Sequence, residues 1–319
     1  MPVFALTDPA FKAALESISE KHTLFFTPQQ LYYQVLRQKN RPAKSSKKIK
    51  LAPKANISFN YFKDTLLFPW IKIHGAPPKL LPEGGRLRPA LRQGSEADIQ
   101  NYSFERLLVC DKAETVDLLL ANNLHFETNT PIVSIDGYPQ DIFPAIMTMV
   151  RRNPALQVFA LHDADPQGCL LPFRLRHDSN WFPQPEIQIF DMGLRPRQIA
   201  AIPNLIVVQP ARWADTLPPP TSPNTAGWRK ALKELEHREF KVELPVSLNR
   251  VLSPTERHWL AAGYRAELAA FKPANLIRIV YQNFNQMPTQ AETLVALAEN
   301  DPLGFFQTHL PGTTPVIRR

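Results

Sequence analysis

The chain has 319 residues, 44% of them hydrophobic, with 37 Lys and Arg against 29 Asp and Glu for a formal net charge of +8. That length and apolar content suffice for two compact domains, or for one large domain with an appendage. No run of about 18 apolar residues occurs, and MPVFALTDPAFKAALESISEK lacks the basic, apolar and small-residue order of a secretory leader, so no membrane partner and a cytoplasmic protein are expected.

Residues 1–74 read as a small helical domain with strand pieces. Phe11 to Glu20 suits a helix, and TPQQLYYQV opens a second one in the form of a capping box. Thr27 is the N-cap, Pro28 the first helical residue, and Gln30 reaches back. At about 100° per residue, Leu31, Tyr32, Val35 and Leu36 share an arc of about 140°, with Tyr33 about 60° outside it. Tyr32 is therefore expected in the core, and Tyr33 either at a domain edge or on a surface that meets phosphate. Between Arg37 and Lys54 the chain carries eight Lys or Arg and no acid, so the positive excess is local. Arg37, Lys39, Arg41, Lys44, Lys47, Lys48 and Lys50 form a candidate DNA-binding set, because clustered cations neutralise phosphates and release counterions. The alternative is a solvated basic loop. Two helices and a basic wing-like loop point to a winged-helix module, and residues 75–100, rich in Pro and Gly, to a linker.

From residue 101 to 319 the pattern changes. RLLVC (106–110), TPIVSI (130–135) and LQVFALHD (156–163) read as strands, separated by helices over 113–123 and 140–153. This order predicts an α/β fold with a mostly parallel sheet covered on both faces. Further strands are expected at 186–193 and 205–210, then a Pro-rich irregular stretch over 209–228 and a helical C-terminal part. LSPTERHWLAAGYRAELAAF (252–271) is its clearest helix. The two cysteines, Cys110 and Cys169, have no companions at metal-ligand spacing and read as small buried hydrophobes.

DADPQG (163–168) ends a strand with two carboxylates separated by one residue. Asp111 ends the RLLVC strand, with Glu114 one helical turn beyond. Ligands of open parallel sheets collect at the carboxyl ends of the strands. Carboxylates gathered there repel one another unless a cation intervenes, and hard oxygen ligands suit magnesium. Asp111, Asp163 and Asp165, with Glu114 as the alternative, are thus candidate Mg2+ ligands. The plainer reading is that Asp163 or Asp165 caps the segment that follows.

Taken in order, these pieces resemble a known family. The strand with its acid, GYPQ, helix, strand and DADPQG are similar to a Toprim domain, more narrowly that of the type IIB topoisomerase (topoisomerase VI) cleavage proteins and the related meiotic double-strand-break transesterases. QQLYY (29–33) resembles the family's Arg-acid-apolar-Tyr-Tyr segment on a CAP-like winged helix, whose last Tyr attacks DNA. GYPQDIFPAIMTMVRR (137–152) resembles its glycine-led connection into a helix, and AAGYRAELAAFKPANL (261–276) its closing Lys-x-Glu-x-x-Ala segment.

The resemblance implies a DNA topoisomerase-like transesterase in which Tyr33 attacks a phosphodiester of double-stranded DNA, leaving a tyrosyl-DNA link and a free hydroxyl. It also implies Mg2+ at the Toprim acids, a homodimer whose tyrosine works at its partner's metal site, a separate ATPase of topoisomerase B type, and a nucleoid-associated location. Gln29 and Gln30 stand where the family has Arg and an acid, and Asp111 where it has Glu. Two alternatives remain. A hydrolytic nuclease would use the same magnesium site to activate water, with Tyr33 structural, and a non-catalytic DNA-binding component of a larger complex would use the fold as architecture.

Overall fold

The computed structural model describes residues 8–39, 57–82, 104–153, 155–178, 181–182, 187–199 and 243–285. Four strands, β1 (Arg106–Cys110), β2 (Ile132–Ser134), β3 (Gln157–Leu161) and β4 (Gln188–Asp191), form one sheet in the order β2-β1-β3-β4. All three pairings are parallel, and the fold is α/β. β1 and β3 run in register from Arg106 opposite Gln157 to Cys110 opposite Leu161. Asp111 and His162 therefore leave the same edge of the sheet side by side.

The central strands β1 and β3 are nearly continuous apolar runs, as expected where both faces are covered. Leu107, Val109, Val133, Val158 and Ala160 pack with residues of the helices Phe143–Val150 and Leu171–His177. The alternate residues, Leu108, Cys110, Ile132, Phe159 and Leu161, join a larger core shared with the helices Ala113–Ala121 and Pro273–Asn285 and the amino-terminal helices. Cys110 and Cys169 are buried free thiols, as their isolation in the sequence implied.

Helix α1 (Asp8–Ile18) buries Phe11, Ala14, Leu15 and Ile18, one face at helical spacing, and packs on α2 (Pro28–Lys39). The capping box of α2 forms in both directions. The Gln30 N–H donates to Thr27 Oγ1 at 3.2 Å, and the Thr27 N–H to Gln30 Oε1 at 3.1 Å. The expected strand pieces do not occur among the described residues of 1–74. Phe59–Tyr61, the π-helical Phe62–Leu67 and Phe68–His74 form a helical run instead, opened by a Ser58 cap, while Phe26 pairs with Leu80 as a single bridge. Most of the wing-like loop lies outside the described residues, as do the stretches expected at 205–210 and 209–228.

The expected helix over 252–271 is corrected. Only Pro254–Ala261 is α-helical, started by a Ser253–Glu256 capping box and followed by Gly263 at φ 84°, and Leu268–Ala270 forms a separate short 3-10 turn. Beyond it Ala266 pairs with Ala164 in an antiparallel bridge, with N–H to O distances of 2.8 and 3.2 Å. These backbone bonds to the DADPQG turn replace helical ones and lay Glu267 and Leu268 across the carboxyl edge of the sheet.

Candidate active site at the carboxyl edge of the sheet

Asp163 is 2% exposed, and every polar group it presents to this edge is engaged. Its N–H donates to Asp111 Oδ2 at 2.8 Å. Its Oδ1 accepts the Leu268 N–H at 2.6 Å, and its Oδ2 meets Lys112 Nζ at 2.5 Å. Burial, reinforced by the Asp111 charge, pushes the Asp163 carboxyl up to about 7. Burial also raises Asp111, whose Oδ1 is buried with no hydrogen-bond partner. Burial alone would favour a neutral Lys112, but the carboxylates of Asp163, Glu267 and Asp111 outweigh it and hold the amine charged.

Asp165 has a different role. Its Oδ1 accepts the Gly168 N–H at 2.7 Å, capping the short 3-10 turn Gly168–Leu170. The capping reading thus describes Asp165 and not Asp163. A Cβ on Gly168 would lie 2.4 Å from the Asp163 carbonyl oxygen, so the turn closes only with glycine.

Under the acids lies His162, fully buried. Its Nδ1 is 2.8 Å from the Asp163 carbonyl oxygen and its Nε2 3.0 Å from Asp191 Oδ1. Both neighbours are acceptors, so both ring nitrogens carry protons. Burial opposes that charge, and the Asp191 carboxylate outweighs it, raising His162 above its ordinary value. Arg195 holds the other Asp191 oxygen at 2.5 and 2.8 Å.

The second half of the site comes from α2. Tyr33 is fully buried, and its hydroxyl donates to Glu267 Oε2 at 2.8 Å. The Gln29 amide donates to the same oxygen at 2.7 Å. Burial and the Glu267 carboxylate raise the Tyr33 phenol well above its ordinary value. Full burial corrects both expected placements of Tyr33, at a domain edge and on a surface that meets phosphate. The helical arc of α2 located its own apolar face, but the stretch over 267–271 packs against the opposite side and closes over Tyr33. Tyr32 is in the core as expected, donating its hydroxyl to the Ile57 carbonyl at 2.7 Å.

A cleft of about 350 Å³, the size of a small-ligand pocket, opens between the two halves. Gln29, Lys112, Glu114, Asp163 and Glu267 line its polar wall, and Phe59 lies on the apolar side. Glu114 is exposed there and lies apart from the bonded acid cluster.

The three candidate ligands do not fit a magnesium ion in this arrangement. Both carboxylate oxygens of Asp163 are bonded, one to an ammonium, and one Asp165 oxygen caps a turn. Among the described residues no group of three or more His, Cys, Asp and Glu side chains is arranged to hold a metal. Asp111 Oδ1 is a buried acceptor without a hydrogen-bond partner.

Of the candidate DNA-binding residues, Arg37 turns inward. Its Nη1 donates to the Ala270 carbonyl and its Nε to Gln34 Oε1 at 3.3 Å, while its Nη2 is buried without a partner. Burial pushes Arg37 down to about 10. Lys39 ends α2. Arg41, Lys44, Lys47, Lys48 and Lys50 lie outside the described residues.

Sequence reasoning missed Glu267, Lys112 and His162. Each sits inside or beside a stretch already singled out, and Glu267 is the acid of the closing segment. Its partner Tyr33, however, is 234 residues away. No described helix is long and apolar enough to cross a membrane. No protein-family model matches the chain, and no curated protein matches it.

Proposed function

We propose that the chain is a DNA-cleaving transesterase similar to the cleavage proteins of the type IIB topoisomerases, with Tyr33 as the nucleophile of a Toprim-like site and a winged-helix module at its amino end. One observation carries this reading: two sequence-distant motifs meet at adjacent residues. Glu267 bonds the Tyr33 hydroxyl at 2.8 Å, and the Leu268 N–H bonds Asp163 at 2.6 Å. A phosphodiester drawn into the cleft would meet the Lys112 ammonium, a fixed positive charge suited to the developing negative charge on phosphorus oxygens. Tyr33, fully buried at rest, has to turn toward the cleft, which Glu267 also lines, to reach it. The basic set between Arg41 and Lys50 supplies duplex affinity in this reading, and a homodimer supplies the second tyrosine for cutting both strands. Strand passage would draw on a separate ATPase.

The test incubates the protein with supercoiled plasmid, with magnesium or with chelator, and quenches with detergent. Protein covalently joined to DNA, lost in Tyr33→Phe and in Asp163→Ala, supports the reading. A second reading, hydrolysis by water, draws on the complete burial of Tyr33. Free ends that persist in Tyr33→Phe and vanish in Asp163→Ala would establish it instead.

A further inference from the structure

We infer that Glu267 is the catalytic base of the site, taking the phenolic proton of Tyr33 as its oxygen attacks phosphorus. This rests on the transesterase reading above. A phenol is almost wholly protonated at neutral pH and needs an adjacent base to act as a nucleophile. Among the described groups, Glu267 Oε2 is the acceptor of the Tyr33 hydroxyl, at 2.8 Å, within the reach required of a general base. The Gln29 amide, at 2.7 Å on the same oxygen, fixes the orientation of the carboxylate. Because that amide is neutral, it leaves the carboxylate charge uncancelled, which a guanidinium at position 29 would not.

The other ionisable groups around Tyr33 fit this role. Asp163 and Tyr32 add to the burial and the Glu267 charge that hold the phenol protonated at rest. Arg37, one helical turn further along α2, lies close enough for a phenolate charge to stabilise its own, and its Nη2 has no other partner. Lys112, influenced by both Asp163 and Glu267, keeps a positive charge facing the carboxylates from β1's end of the cleft. A proton leaving Tyr33 thus exchanges one negative charge for another between Arg37 and Lys112, with no net charge moved into the site.

The step balances without a co-reactant. The Tyr33 oxygen forms a bond to phosphorus and the bond from phosphorus to the leaving sugar oxygen breaks. The proton passes from the phenol to Glu267 Oε2 and on to water, and the leaving oxygen, opposite the attacking one, takes a proton from water. Glu267 ends as a carboxylate, Tyr33 as a phosphodiester, and the cut strand with a free hydroxyl.

The experiment compares the rate of covalent attachment in wild type, Glu267→Gln and Tyr33→Phe at equal DNA occupancy. Glu267→Gln keeps the shape of the side chain, and circular dichroism checks its fold. Attachment in Glu267→Gln should be slower by about 10²- to 10⁴-fold, with DNA binding retained. Without DNA, the titration of Tyr33 is read as the tyrosinate absorbance difference between each protein and its Tyr33→Phe counterpart. It should move to lower pH in Glu267→Gln, since the carboxylate and its hydrogen bond both hold the phenol up. Attachment by Glu267→Gln at the wild-type rate would overturn the base while leaving the transesterase reading intact. Absence of attachment by wild type would remove both.

Discussion

Replacing Tyr33 by Phe removes one oxygen and tests whether that oxygen is inside the protein. The hydroxyl is fully buried and donates to a carboxylate at 2.8 Å. Hydrogen bonds to charged groups contribute about 1.5–3 kcal/mol. Glu267 Oε2 retains the Gln29 amide after the change and the residue borders the cleft, so the carboxylate is not stranded. That places the expected loss in the lower half of the range, about 2 kcal/mol. Tyr32→Phe is the internal comparison: its hydroxyl bonds a neutral carbonyl, that of Ile57, and its loss should cost about 1 kcal/mol. Urea denaturation followed by far-ultraviolet circular dichroism gives both values, provided that the slopes agree. The double variant Tyr33→Phe with Glu267→Gln should fall short of additivity by about 0.5 kcal/mol or more, because each change removes the same bond. A tyrosine on an open DNA-binding surface would behave otherwise. Tyr33→Phe within about 0.5 kcal/mol of wild type, and additive with Glu267→Gln, would refute the buried pair.

Three further perturbations address the charges under the acids. A Cβ at position 193 would lie 2.1 Å from His162 Cδ2, and His162 is held at both nitrogens, so Gly193→Ala should destabilise by about 3 kcal/mol; a thermal melt matching wild type would contradict this. His162 and Arg195 outweigh burial and hold the Asp191 carboxyl below its ordinary 3.8, so its stabilisation is present above that pH and lost as the pH falls. Stability measured from about pH 6 down to pH 2 should therefore fall less steeply in Asp191→Asn, although that variant is weaker at neutral pH, and an unchanged slope would count against the network. Above about pH 7, where Asp163 is ionised, Lys112→Met strands its carboxylate. Solvent reaches Lys112, whose side chain is 42% exposed, so the cost should be about 3 kcal/mol, at the lower end for a broken buried pair. The sign for Asp163 is opposite to that for Asp191. Its carboxyl is raised to about 7, so its unfavourable contribution grows as the pH climbs from 3.8 to that value, and the Lys112→Met defect should grow as the pH rises through about 7, where Asp163 ionises in the wild type. A defect independent of pH would show that Asp163 is not the group stranded.

Local features were legible from residue order. Thr27 and Gln30 need only three residues to complete a capping box, and DADPQG needs only Gly168 to close its turn. The runs RLLVC and QVFAL announce parallel strands because a strand covered on both faces has no polar side to display. Strand order alone was enough to place Asp111 and Asp163 at one edge. Helical periodicity misled at 252–271, where Gly263 and the Ala164–Ala266 bridge end a pattern that composition alone would continue.

The sequence by itself determined the parallel α/β architecture and the meeting of the acids at one edge, since strand patterning and turn chemistry act over a few residues. Only the tertiary structure decided what those acids and Tyr33 touch. A helical wheel ranks the faces of α2 by their own residues and cannot register the 267–271 stretch arriving from across the chain to bury Tyr33. Nor does the order Asp111-Lys112 reveal that the lysine turns to the distant Asp163. Burial and ion pairing depend on which distant segments arrive, and the balance of charges at this site follows from those arrivals.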